Sequence, residues 1–301
     1  MTKDFLSIED LSKKEIIEII DFAKQFKSDD GSFRKEDLFP DKTIANIFCE
    51  PSTRTKSSFE IAAKNLGCTV IDFDVASSSI QKGESIYETI DALSLMGVDL
   101  CVLRHKDSVI RELAPNMQDI IFINAGEGTI SHPTQTLIDL MTIKDYKSSL
   151  DDLNILIFGD LDHSRVTTSF CEGISKFSSN NITFSGEPSM CTQYQNSNLG
   201  KYEPNLDKAI IDADVIMALR IQHERFETDT SLNLDEYKQS FGLTSERLDL
   251  ARGDVILMHP GPVNFIEISE NVYNSDNTVI REQVANGVAI RMAVLSRFLS
   301  S

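Results

Sequence analysis

Five consecutive residues concentrate hydrogen-bond donors. Within "EPSTRTKSS", Ser52, Thr53, Arg54, Thr55 and Lys56 bring three hydroxyls and two cations to one bend. Pro51 ends a strand candidate just before them, and an amphipathic helix pattern follows. Ser52 or Thr53 suits the cap of that helix, whose first backbone N–H groups then face outward and can meet an anion. The bend is phosphate-shaped without glycines. Taken alone it is equally well a capped surface helix, because hydroxyl caps are common.

Further donors stand where other predicted strands end. Ser78 and Lys82 lie in "ASSSIQKGES", and Arg104 and His105 close "VDLCVLRH". His132 and Gln135 in "HPTQ" follow "DIIFINAG", and Arg165 in "GDLDHSRV" follows "NILIFGD". Arg220 closes "ADVIMALR" and opens "RIQHER" with Gln222 and Arg225, and the bend Pro260, Gly261, Pro262 stands at the end of "DVILMHP". Each has an ordinary explanation as a turn, a solvated charge or a Pro-Gly bend. Together they occupy at least six predicted strand ends in a chain of formal net charge −18. Ligands of open α/β sheets bind beyond the carboxyl ends of the strands. The expectation is therefore an anion-binding crevice.

The same charge excludes nucleic acid as the expected partner, since a phosphate backbone demands a basic face. No apolar run reaches the roughly 18 residues of a membrane span. The stretch "MTKDFLSIEDLSKKE" has no apolar signal core, so the expected location is cytoplasmic. The five cysteines are odd in number and form no CxxC pair. Neither a disulfide framework nor a metal site is expected, and Cys49, Cys68 and Cys101 read as core residues. GxSxG, HExxH, GxxxxGK[ST] and GxGxxG are all missing, and no cofactor is expected. No carboxylate pair stands out as an acid–base couple. A site rich in donors and poor in acceptors suits a substrate with two anionic ends and stabilises an oxyanion.

The elements that must position these groups alternate. A capping box, Ser12 with Glu15, opens a helix over 12–26 with Ile16, Ile20 and Ala23 on one face. After "KTIANIFCE" comes a helix with Phe59, Ala62, Ala63 and Leu66 at helical spacing, stopped by Gly67. Strand and helix patterns continue to "HPTQTLIDLMTIKDYK", a helix with Pro133 in its first turn, and then begin again at "NILIFGD". "REQVANGVAIRMAVLSRFL" is a closing helix. The fold class expected is α/β, with two domains, each a mostly parallel sheet flanked by helices. The polar stretch between "ADVIMAL" and "DVILMH" reads as a long loop.

"STRTK", "HPTQ", "GDLDHSRV", "RIQHER" and "HPGPVN", in this order over nearly the whole chain, resemble the aspartate/ornithine carbamoyltransferase family, on its aspartate side. The ending "QVANGVAIRMAVL" is similar as well. The resemblance implies a carbamoyl-phosphate domain over 1–131, with the C-terminal helix 282–301 packing back on it. It implies an interdomain helix over 132–149 and an aspartate domain over 150–281. It implies a homotrimer with shared sites, acting in de novo pyrimidine biosynthesis. Ser52, Thr53, Arg54 and Thr55 would hold the phosphate. Arg104, Thr55 and His132 would reach the carbonyl oxygen. Gln135 and the backbone of Pro260, Gly261 and Pro262 would fix the carbamoyl NH2. Arg165, Arg220 and Gln222 would take the aspartate carboxylates, and Ser78 and Lys82 would enter from the neighbouring subunit.

Two positions depart from the family pattern. Lys56 stands where arginine is commoner, and is expected to brace the bend without touching substrate. Phe265 stands where "HPGPVN" commonly continues with arginine. Three other readings compete. An ornithine or other amino-acid carbamoyltransferase would share the phosphate half, but ornithine wants an acidic partner and a cysteine in the last loop. A non-catalytic scaffold of the same fold would have lost a ligand-contacting motif residue, and none is lost. A dinucleotide-dependent oxidoreductase would carry a glycine fingerprint. A regulatory chain or a dihydroorotase as partner is left open by the sequence.

Overall fold

The computed structural model describes residues 3–221 and 234–300. The chain forms two compact units, Met1–Ile138 with Val284–Ser301, and Asp139–Gln283.

In the first unit, α1 (Lys13–Lys24) starts on the Ser12–Glu15 capping box and buries Ile16, Ile19, Ile20 and Ala23. Then follow β1 (Thr43–Phe48), α2 (Thr53–Asn65), β2 (Thr69–Phe73), α3 (Ile86–Leu95), β3 (Leu100–His105), α4 (Ile110–Leu113) and β4 (Ile121–Glu127). The sheet runs β2-β1-β3-β4, all parallel. Side chains alternate across a strand. Ala45, Ile47, Cys101 and Leu103 therefore share one core with Ile90, Leu113 and Phe122. The opposite parity, which includes Asn46, Phe48, Val102 and Arg104, faces the other side. Helix α5 (Pro133–Lys147) crosses the division between the units, as does α11 (Ile280–Leu299). The end of α11 packs against the first unit. Arg297 Nη2 donates to Glu15 Oε1 at 2.6 Å, and Phe298 stacks on Phe5 at 5.5 Å.

The second unit contains β5 (Asn154–Gly159), α6 (Arg165–Ile174), β6 (Asn181–Ser185), β7 (Lys201–Tyr202), α7 (Leu206–Ala209) and β8 (Val215–Leu219). Helices α8 (Leu234–Phe241) and α9 (Ser245–Leu248), strand β9 (Ile256–Met258) and helix α10 (Glu270–Tyr273) complete it. Its sheet runs β7-β6-β5-β8-β9, again parallel throughout.

The structure departs from the sequence reading in three places. "LDKAIIDA", which the alternating pattern marks as a helix, forms only a single turn, α7, because Asp212 takes a left-handed φ of 59° and turns the chain into β8. The polar stretch read as a loop contains α8 and α9. Arg247 ties them together, donating to the Gly242 carbonyl at 2.6 Å, the Gln239 carbonyl at 2.8 Å and Asp207 Oδ1 at 2.7 Å. No short-range periodicity reports such a staple. The serine-rich stretch "ASSSIQKGES", whose composition suggests a flexible turn, holds two 3-10 turns, Val75–Ser77 and Ser79–Lys82. Asp74 Oδ1 accepts the Ala76 N–H at 3.0 Å to start the first, and Gly83 ends the second at a φ of 98°.

Candidate active site

Each sheet reverses its strand order once, and ligands of open α/β sheets gather at that switch point. In the first unit the switch lies between β1 and β3. The hydroxyl-rich bend follows β1, and Arg104 is the second-last residue of β3, paired in register with Phe48. The Cys49 N–H donates to the Arg104 carbonyl at 2.9 Å, which carries the pairing to the edge of the bend.

Ser52 occupies the cap position of α2, but its side chain makes no capping bond. The expected hydroxyl cap is thus present in position and absent in bonding. A φ of −161° and ψ of 88° hold Ser52 out of the usual cap conformation. The first-turn N–H groups are left to face an anion, which the helix dipole favours. Thr55 is buried, while Thr53 and Arg54 are exposed. Among the described residues Arg54 makes no ion pair. Ser58 Oγ donates to the carbonyls of Arg54 and Thr55 at 2.6 and 3.0 Å and braces the first turn from inside. Lys56 Nζ lies 2.6 Å from Asp72 Oδ1 on β2. It ties the bend to the neighbouring strand.

Arg104 is largely buried, with Nε 3.3 Å from Glu50 Oε2 and Nη1 3.5 Å from the Ala125 carbonyl. Glu50 escaped the sequence reading, although it immediately precedes the bend. His132 is buried at the head of α5, where its carbonyl accepts the N–H groups of Gln135 at 3.0 Å and Thr136 at 3.3 Å. Gln135 is half-buried one turn on. Burial, and then the charge of Glu50, push the Cys49 thiol up to about 11, so it is no thiolate nucleophile.

Ser78 and Lys82 also belong to the first unit. Ser78 Oγ donates to the Val75 carbonyl at 2.8 Å. Lys82 is exposed and, among the described residues, makes no hydrogen bond or ion pair.

In the second unit the switch lies between β5 and β8. Arg165 is buried as the first residue of α6, whose cap Ser164 accepts the Thr167 N–H at 3.4 Å. Asp162 pins the turn before it, accepting N–H groups of Thr192 at 2.8 Å and Gln193 at 3.1 Å. Gly159 ends β5 at a φ of 120°, and a Cβ there would strike the Leu219 carbonyl on β8. Arg220 follows β8 and is half-buried. Gln222 and Arg225 lie outside the described residues.

The turn after β9 is built from buried bonds. His259 Nδ1 accepts the Gly261 N–H at 2.8 Å, so Nε2 carries the proton and donates to Glu267 Oε1 at 2.8 Å. Gln283 Oε1 accepts the His259 N–H at 2.8 Å, and Gln283 Nε2 donates to Asp139 Oδ1 at 2.9 Å. Gly261 takes a φ of 72°, which a side chain would strain. Pro260, Gly261 and Pro262 are therefore held by His259, Glu267 and Gln283, none of which the sequence reading named. Only the histidine next to the Pro-Gly bend hinted at them. Phe265 packs edge-on against Tyr273 at 5.6 Å, an aromatic contact where the family pattern has a cation.

Among the described residues no group of three or more His, Cys, Asp and Glu could hold a metal ion. The arrangement is two sets of donors, each at the switch point of its own sheet.

Comparison with known proteins gives two family matches. Residues 3–145 match the model described as aspartate/ornithine carbamoyltransferase, carbamoyl-P binding domain. Residues 151–298 match the Asp/Orn binding domain of the same description. The aspartate carbamoyltransferase catalytic subunit of Caldanaerobacter subterraneus subsp. tengcongensis is 42% identical over 297 residues, covering 98% of this chain and 97% of the relative. That of Desulforapulum autotrophicum is 44% identical over 294 residues, covering 97% and 94%. Among solved structures, the catalytic subunit of M. Jannaschii aspartate transcarbamoylase is 34% identical with a TM-score of 0.86, covering 99% of this chain and 98% of that one. Aspartate transcarbamoylase from Trypanosoma cruzi in complex with carbamoyl aspartate and phosphate is 29% identical with a TM-score of 0.86, covering 97% and 94%.

Proposed function

The chain belongs to the aspartate/ornithine carbamoyltransferase family, and from that membership we infer that it transfers the carbamoyl group of carbamoyl phosphate to the amine of L-aspartate. The products are N-carbamoyl-L-aspartate and phosphate. The observation that carries the choice of aspartate lies in the second unit. Arg165 and Arg220 follow β5 and β8, which are neighbours in register. Two cations, one opening the helix after β5 and one directly after β8, suit a dicarboxylate and repel the side-chain cation of ornithine. Supplied with carbamoyl phosphate, the chain should carbamoylate L-aspartate and turn over little L-ornithine. Faster turnover of ornithine would sink this reading.

The residues take the following roles in this proposal. The N–H groups and hydroxyls of Ser52, Thr53 and Thr55, with Arg54, hold the phosphate. Thr55, Arg104 and His132 donate to the carbonyl oxygen. Gln135 and the carbonyls of the Pro260, Gly261, Pro262 turn orient the carbamoyl NH2. Arg165, Arg220 and Gln222 hold the two carboxylates of aspartate. The amine attacks the carbonyl carbon, a C–N bond forms, and the C–O bond to phosphate breaks. The departing phosphate takes the proton that the amine gives up, so no side-chain base is required. Orientation and fixed dipoles supply the rate enhancement.

Because no step asks for a Lewis acid, activity should survive exhaustive chelation. A loss that only an added divalent ion restores would refute this.

A homotrimer completes the proposal, with Ser78 and Lys82 entering the neighbour's site. Two observations support it. Lys82 is exposed and, among the described residues, has no partner in its own chain. Helix α3 and the residue after it also expose Tyr87, Leu95 and Met96, with Leu95 at 84% and Met96 at 79%, an apolar surface that a second copy would cover. The proposed setting is cytoplasmic pyrimidine biosynthesis. The five free thiols suit a reducing compartment. Among the described residues no helix is long and apolar enough to cross a membrane.

A further inference from the structure

Arg291 lies on α11 in the first unit and is only 3% exposed. Its guanidinium carbon stands 4.9 Å from the centre of the Phe59 ring. Its Nη1 donates to the Gly287 carbonyl at 3.1 Å, and among the described residues its Nε has no hydrogen-bond partner. Among the described residues it pairs with no carboxylate. Room for the guanidinium comes from Gly287, where a Cβ would meet Nη1 at 2.8 Å.

A buried cation without an anion is costly, and the face of an aromatic ring offsets only part of that cost. The surroundings of Arg291 bear this out. Burial first, and then the charge of Arg104, push its pKa down to about 9, which leaves it a cation at neutral pH. The charge of Arg104 thus acts on Arg291, and Glu50 Oε2 lies 3.3 Å from Arg104 Nε. Phe59, the ring that Arg291 covers, sits on α2, the helix whose first turn carries Arg54 and Thr55. Asn65, at the end of the same helix, donates to Met292 Sδ at 3.8 Å. Helix α11 therefore backs α2 with a charge as well as with packing.

We propose that Arg291 is a positioning residue for the anion-binding end of the first unit, holding a buried positive charge behind Arg104 and α2 that a bound phosphate dianion completes. The inference rests on reading that end as the carbamoyl-phosphate site. It assigns to Arg291 a role that packing alone does not give. The charge costs the protein stability and returns it as affinity for an anion.

The test uses the full chain at neutral pH, with inorganic phosphate and carbamoyl phosphate as calorimetric probes. Arg291→Met should weaken phosphate binding by about tenfold, the effect of removing one partly screened charge near a site. The KM for carbamoyl phosphate should rise with it, while the KM for aspartate stays near wild type. Without added phosphate the unfolding midpoint of Arg291→Met should equal or exceed that of wild type, because an unpaired buried charge has gone. Arg291→Lys should keep most of the affinity, and Arg291→Gln, polar but neutral, should lose it as Met does. Unchanged phosphate binding in a folded Arg291→Met protein overturns the proposal, and so does a lower unfolding midpoint. If that variant does not fold, the Lys and Gln variants decide. Tighter phosphate binding by Lys supports the proposal, and equal affinities overturn it. A wild-type chain that binds neither probe overturns the functional reading itself and this inference with it.

Discussion

Arg54→Ala should lower kcat by on the order of a hundredfold or more, the loss typical when one electrostatic stabiliser is removed. The structure explains why so much rests on one residue. Arg54 sits on the first turn of α2, exposed and without an ion pair among the described residues, so no carboxylate competes for its charge. Ser58 holds the Arg54 and Thr55 carbonyls, and Lys56 ties the same turn to Asp72. The guanidinium therefore leaves from an anchored backbone. The phosphate it meets in the proposed reaction gains charge as the C–O bond breaks. An interaction that strengthens along the reaction lowers the barrier more than it tightens binding. Steady-state kinetics with carbamoyl phosphate varied at saturating aspartate separates the two. An effect confined to KM would mean that Arg54 only binds.

Lys82→Ala should be nearly inactive as well, and its loss should be recoverable by a second inactive protein. Lys82 ends the turn Ser79–Lys82, exposed and with no partner in its own chain among the described residues. The turn before it, Val75–Ser77, is held by Asp74 and by the Ser78 hydroxyl, so Ser79–Lys82 projects from a fixed base. In a closed ring each projection completes the site of the next subunit. Lys82→Ala and Arg54→Ala chains, mixed and allowed to exchange, then form boundaries where one chain supplies Arg54 and the other Lys82. With equal amounts and random mixing, about a quarter of the boundaries carry both wild-type groups in a heterologous ring. Activity should reappear toward that fraction of wild type, measured on trimers whose mixed composition has been verified by mass. No recovery in such trimers would place Lys82 within its own chain's site, or remove the ring.

Much of this protein was legible in its sequence because the signals are local. A capping box at Ser12 and Glu15 marks the start of α1 through hydrogen bonds that span three residues. Apolar residues at helical spacing mark α2, and the left-handed glycine at Gly67 marks its end. The donors at Arg54, Arg104, His132, Arg165 and Arg220 showed themselves as a group because strands and helices alternate, and the ends of strands can be counted. What the sequence could not contain was which strands lie side by side. Placing β1 against β3, and β5 against β8, is decided by which apolar faces bury one another across long stretches of chain. Only that choice brings Arg104 beside the bend after β1 and makes neighbours of the strands that Arg165 and Arg220 follow. The buried supports are tertiary for the same reason. Glu267, Gln283 and Asp139 around His259 come from separate segments, as do Arg291 and the Phe59 ring it covers. No periodicity or cap announces such bonds, because each partner looks ordinary until the fold has excluded water from between them.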